Sequence, residues 1–189
     1  YIGKIATEAE IQKYINEKGY LPNELIGKTG VEESFEDTLH GVNGKDVVMI
    51  DSYGNRTETS QSVEPKAGNN LYLTIDFELQ RESEKALHKG IVATKYGLPY
   101  ESEWGSMTVN EDKNINSGAT VSTDPKTGQL LAMASYPSFD PNLFATGISN
   151  SDWRNLMPKN DSDLTEARPL LNLATQTAVQ PGSTFKVVT

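Results

Sequence analysis

Residues 119–135, ATVSTDPKTGQLLAMAS, decide the fold class. Two runs suited to strands, Ala119 to Thr123 and Gln129 to Ser135, flank Asp124-Pro125-Lys126-Thr127-Gly128. A proline early and a glycine late in such a connection suit a type I turn closed by a residue at positive φ, so the segment predicts an antiparallel hairpin. Upstream, Asn70 to Ile75 alternates as a strand, and Asp76 stands where an N-cap belongs. Phe77 to Lys95 then carries Leu79, Ala86, Leu87 and Ile91 as the apolar stripe of a long helix. An antiparallel sheet packed against helices makes this part of the chain α+β.

Nearer the start, Thr7 with Glu10 three residues on has the capping-box pattern and opens a helix to Lys18, with Ile11, Tyr14 and Ile15 at helical spacing. Gly27 to Glu32 breaks the chain, and Glu32 to Leu39 reads as a second amphipathic helix ending at Gly41. Lys45 to Asp51 and the polar Arg56 to Ser62 form a hairpin around Ser52-Tyr53-Gly54-Asn55. Pro65 to Asn70 has the composition of a linker, so one domain is expected over residues 1–62 and a second over 63–189. Gly97 to Ser117 reads as a surface insertion anchored by Trp104, Pro137 to Gly147 as a loop and Ser151 to Met157 as a short helix.

Composition excludes several functions. The 189 residues are 36% hydrophobic, enough to build a core, and carry a net charge of −9. The 17 Lys and Arg are scattered singly, so no nucleic-acid partner is expected. With no cysteine there is no disulfide, thiolate metal site or cysteine nucleophile. His40 and His88 lack ligand spacing and read as solvated helix residues; Glu32, Glu33, Glu36 and Asp37 read as a solvated helix face. Neither a metal site nor a cofactor site is expected. Trp104, Trp153 and Phe144 read as packing anchors. No apolar run is long enough to cross a membrane and Tyr1 opens no signal peptide, so any anchor is expected upstream. The start without Met and the end in an apolar, helical run read as a piece cut from a longer chain.

The chemistry-bearing pattern is Ser183-Thr184-Phe185-Lys186 after Pro181-Gly182. Serine and lysine three apart on a helix share a face, which lets the amine take the hydroxyl proton. A serine in the first helical turn also faces the positive end of the helix, which favours developing negative charge. On the tetrapeptide alone a Ser cap and a solvated Lys at a surface helix start is the favoured reading, and only its context changes that. No other Ser in the chain has Lys three residues on.

Pro181 to Lys186 resembles the nucleophile motif of the penicillin-binding proteins, whose partner motifs are Ser-x-Asn and Lys-Thr-Gly. Three further segments resemble the class B members. Asp124 to Asn142 is similar to their hairpin and following loop. Leu73-Thr74-Ile75-Asp76 with Leu79-Gln80 resembles the start of their transpeptidase domain, and Gly27-x-x-Gly30-Val31-Glu32 with Leu39, Gly41 and Gly44 resembles the last box of their N-terminal pedestal. Phe35 and His40 stand where that box usually has Tyr and Arg, and Asn172-Leu173-Ala174 where many relatives have Asn-Arg-Ala. Lys28-Thr29-Gly30 and Lys126-Thr127-Gly128 spell the third motif but precede Ser183, opposite to the family order, and read as turn chemistry.

The resemblance implies part of a dimerisation-type pedestal over residues 1–62 and the N-terminal portion of a transpeptidase domain over 63–189. It implies that Ser183 attacks the penultimate D-Ala carbonyl of a peptidoglycan stem peptide with Lys186 as base, and that β-lactams acylate the same serine. A glycosyltransferase and other elongation-complex proteins are the implied partners, and an upstream single-pass anchor holds the domain on the extracytoplasmic face of the cell membrane. The wording of the segments resembles elongation-type enzymes of Gram-positive bacteria. A β-lactam sensor, a low-affinity resistance transpeptidase and a non-catalytic scaffold are the alternatives. A lysine base needs burial, and the three residues after Lys186 do not supply it, so these 189 residues alone are expected to be inactive.

Overall fold

Thr7 closes the predicted capping box: its hydroxyl accepts from the Glu10 amide at 3.2 Å, and the Glu10 carboxylate accepts from the Thr7 amide at 3.0 Å. In this computed structural model, residues 1–163, 165–178 and 182–187 are described, without the side chains of residues 58–60, 183, 184 and 187. They fall into two compact units, Tyr1–Tyr72 with Pro141–Ile148 and Leu73–Asp140 with Ser149–Thr189.

In the first unit, α1 (Glu8–Glu10) runs on into a π-helical segment, Ile11–Glu17. Its apolar side packs Tyr14 against Ile5 and Ile26, with Ile11, Ile15 and Tyr20 around them. Ile5 follows β1 (Ile2–Lys4), and Ile26 lies on β2 (Leu25–Gly27), which pairs antiparallel with β1. The predicted second helix begins earlier, at Gly30, and is broken at Phe35 into α2 (Gly30–Ser34) and α3 (Glu36–Leu39). β3 (Lys45–Ile50) and β4 (Arg56–Val63) form the predicted hairpin. The linker-like segment is tied into this unit: Val42 and Lys66 exchange backbone bonds at 2.7 and 2.9 Å, and the Asn69 amide donates to the Thr38 carbonyl.

Two polar groups depart from the sequence reading. Glu36 is no solvated carboxylate: at 8% exposure it accepts from the buried Gly27 amide at 2.7 Å, satisfying a β2 donor that would otherwise be unpaired. His40 is half-buried, stacked on Tyr20 with centroids 3.9 Å apart and 3.2 Å from the Glu24 carboxylate.

The second unit is built on α4 (Phe77–Tyr96), capped by the Asp76 carboxylate on the Leu79 amide at 2.9 Å. α4 packs on β7 (Gly118–Thr123) and β8 (Leu130–Tyr136), the predicted antiparallel hairpin. Ile91 and Ala93 of α4 and Ala132 and Ala134 of β8 are buried. Gly118 keeps the approach close, since a Cβ there would stand 3.1 Å from Ile91. In the turn, the Asp124 carboxylate accepts from the Lys126 and Thr127 amides, which hold it below the ordinary range, and Gly128 takes the expected positive φ of 75°.

The structure differs from expectation in three places. Asn70 to Ile75 is not a strand; it attaches to the start of β8 through the Thr74 hydroxyl on the Leu130 carbonyl and the Asp76 amide on the Leu131 carbonyl. The insertion after α4 holds a small hairpin, β5 (Tyr100–Ser102) and β6 (Gly105–Met107), whose tip carries Trp104 at 90% exposure rather than as an anchor. Trp153, on α5 (Asn150–Leu156), is 42% exposed and only partly packed, whereas Phe144 is buried and stacks on Tyr1 at 4.1 Å. His88 of α4 is exposed, as read, and its ring stacks on Tyr136 at 4.9 Å.

Candidate active site

Upstream of the nucleophile motif, Asn172 and Ala174 are held by β8. The Ser135 hydroxyl accepts from the Ala174 amide at 3.3 Å and donates to the Asn172 side-chain oxygen at 3.4 Å. Asn172 also places its amide nitrogen 3.8 Å from the Met133 sulfur. Its backbone carbonyl accepts from the Thr175 and Gln176 amides, starting α6 (Leu173–Gln176). The small, β-branched and polar residues around α6 sustain one turn, and the chain leaves it extended at Thr177.

The motif itself falls in a short tight helix of two turns, Gly182–Val187, of the 3₁₀ kind rather than the predicted α-helix. Three residues per turn place positions 183 and 186 one turn apart along its axis. Gly182 enters the turn at φ 55°, a left-handed conformation with open space around it, which glycine adopts without the Cβ cost of other residues. The side chain of Ser183 lies outside the described residues. Lys186 is exposed, so the described residues do not bury it. They therefore describe the backbone of the motif and the exposed Lys186 side chain.

The two Lys-Thr-Gly sequences are occupied elsewhere. Lys28 pairs with Glu10 at 2.6 Å and Gly30 opens α2, while Lys126-Thr127-Gly128 is the β7–β8 turn. One polar arrangement escaped the sequence reading. The Gln80 side chain donates to the Met133 carbonyl at 2.9 Å and accepts from the Met133 amide at 2.8 Å. Only its place in the Leu73 to Gln80 motif signalled it, because spacing does not reveal a partner 53 residues away.

Residues 1–73 match the penicillin-binding protein dimerisation domain, and residues 118–189 match the penicillin binding protein transpeptidase domain. The chain belongs to the class B penicillin-binding proteins, carrying part of both domains in an α+β fold. Over 186 residues, 98% of this chain and 23% of the relative, it is 36% identical to the peptidoglycan D,D-transpeptidase MrdA of Acinetobacter baumannii. It is 36% identical to MrdA of Escherichia coli K12 over 190 residues, 98% of this chain and 25% of that protein. A solved structure of a peptidoglycan synthase complex that coordinates polymerisation and crosslinking matches 91% of this chain and 26% of its own, at 33% identity and TM-score 0.64. The chain thus spans about a quarter of the length of these relatives. Both named organisms are Gram-negative, so the expected Gram-positive origin is not supported.

Proposed function

We propose that this chain is part of a peptidoglycan D,D-transpeptidase in which Ser183 is the nucleophile and Lys186 its base. The observation that carries the reading is Pro181 to Lys186 lying within the stretch that matches the transpeptidase domain. Two relatives named as D,D-transpeptidases, alike over 98% of the chain, support it. In the whole protein, Ser183 Oγ attacks the penultimate D-Ala carbonyl of a stem peptide as Lys186 takes its proton. The tetrahedral intermediate expels the terminal D-Ala, which receives a proton on its amine. An amine from a neighbouring strand then displaces the acyl-serine, forming the cross-link and regenerating Ser183. β-Lactams enter at the first step, since their strained amide presents the same carbonyl.

In this proposal residues 1–62 belong to a pedestal without catalytic side chains, and an upstream segment anchors the protein in the membrane with both domains on the extracytoplasmic face. Among the described residues no helix is long and apolar enough to cross a membrane. A glycosyltransferase of the elongation machinery is the proposed partner; the likeness to a synthase complex that joins polymerisation to crosslinking supports it. The test is labelling of the longer protein containing these residues with a fluorescent penicillin. Covalent labelling is expected, with loss in Ser183→Ala; labelling of the alanine variant at the wild-type level would remove Ser183 from its role.

A further inference from the structure

We propose that Gln80 is a positioning residue for acylation at Ser183, acting as a surrogate β-strand on the outer edge of β8; this rests on the transpeptidase reading above. β8 has one hydrogen-bonded neighbour among the described residues, β7, and Val121 stands opposite Met133 in that pair. The Met133 N–H and C=O both engage the Gln80 amide, at 2.8 and 2.9 Å, and so point away from β7. A primary amide offers one donor and one acceptor side by side, which is what a neighbouring strand would present to that residue.

The orientation of the amide is fixed by its third bond. The Gln80 nitrogen also donates to the Glu84 carboxylate at 2.7 Å, so turning the amide over would set its oxygen against a carboxylate and a carbonyl. The same edge is covered on its N-terminal side by Thr74 and Asp76, bonded to the Leu130 and Leu131 carbonyls. Two residues beyond Met133, Ser135 holds Asn172 and Ala174, and Asn172 also touches the Met133 sulfur. α6 therefore hangs on β8 at the point where Gln80 ties β8 to α4, and the chain passes from α6 to the Ser183 turn. A shift of β8 along α4 carries α6 with it.

Gln80→Met and Gln80→Glu in the full-length protein test this. Methionine keeps length and volume but loses the bonds. Its acylation rate by a fluorescent penicillin is expected to fall about tenfold, the worth of one to two hydrogen bonds, with the non-covalent dissociation constant unchanged. The Met133 and Ala174 amides are expected to exchange with solvent about tenfold faster. Glutamate reproduces the donor and acceptor only when protonated, and two carboxylates side by side favour protonation. The ratio of the Gln80→Glu rate to wild type should therefore climb as pH falls from about 8 to about 5.5, while the Gln80→Met ratio stays flat. A Gln80→Met rate within twofold of wild type, a flat Gln80→Glu ratio, or unchanged Ala174 exchange overturns the proposal. If the wild-type protein is not labelled at all, the transpeptidase reading falls, and Ala174 exchange in Gln80→Met alone decides whether Gln80 positions α6.

Discussion

Replacing Gly27 with alanine should cripple the first unit while barely touching the second. A Cβ at Gly27 would lie well inside 3.0 Å of the Glu32 carbonyl and the Glu33 nitrogen, which are backbone atoms of α2 and not flexible side chains. Overpacking of this kind costs about 1–3 kcal/mol. Any shift that relieves it pulls the Gly27 amide from the buried Glu36 carboxylate, 2.7 Å away, and a bond to a charged group is worth about 1.5–3 kcal/mol. Together they amount to about 2.5–6 kcal/mol, a large part of the stability of a small domain. For a unit of this size the melting temperature should drop by at least roughly 10 °C.

The assay is thermal unfolding of the chain followed at Ile26 and Tyr14 by NMR. The two tryptophans, Trp104 and Trp153, both lie in the second unit and give a separate record by fluorescence. Gly30→Ala is the comparison: its φ of 67° makes alanine cost about 1–2 kcal/mol, but no atom lies within 4 Å of the added Cβ. A Gly27→Ala variant within about 0.5 kcal/mol of wild type would refute the steric reasoning, since that is the range of an ordinary surface change.

Burial pushes the Glu10 carboxyl up, but the Lys28 ammonium and the Thr7 and Ala6 amides outweigh it and hold it at about 2. A depressed carboxyl stabilises above its unfolded value and loses that as pH falls through the folded one, so up to about 3 kcal/mol should disappear between about pH 4.5 and 2. Urea titrations at several pH values should show this slope for wild type and its absence in Glu10→Gln. Trp104→Ala should leave stability within about 0.5 kcal/mol, because the indole is 90% exposed; a larger loss in urea unfolding would mean the hairpin tip is packed. Lys186→Ala in the longer protein should slow penicillin acylation by about 10²- to 10⁴-fold, and a loss below about fivefold would move the base elsewhere.

Much of the fold was legible because its signals are local. The Thr7 capping box, the Asp76 cap and the Asp124 to Gly128 turn are each set by side chains bonding backbone a few residues away, and each formed as read. The misreadings concern what only tertiary structure decides. Glu36 reads as one acidic face with Glu32 and Glu33, yet the break at Phe35 puts it on α3, where it turns inward to accept from the Gly27 amide at the end of β2. Trp104 looks like an anchor by residue type, but a three-residue strand on either side carries it away from α4. Asn70 to Ile75 alternates as a strand, but its bonds to β8 come from one hydroxyl and one amide instead of a ladder. At the site, Ser183 and Lys186 stood out by motif, while Gln80 and Ser135 act through partners 53 and 39 residues away, beyond any spacing rule.

The most direct test is peptide mapping by mass spectrometry of the longer protein after brief treatment with benzylpenicillin. The expected result is a single penicilloyl adduct on the peptide containing Ser183, lost in Ser183→Ala and found on no other peptide. An adduct on a different residue in the wild-type protein would contradict the assignment of the nucleophile.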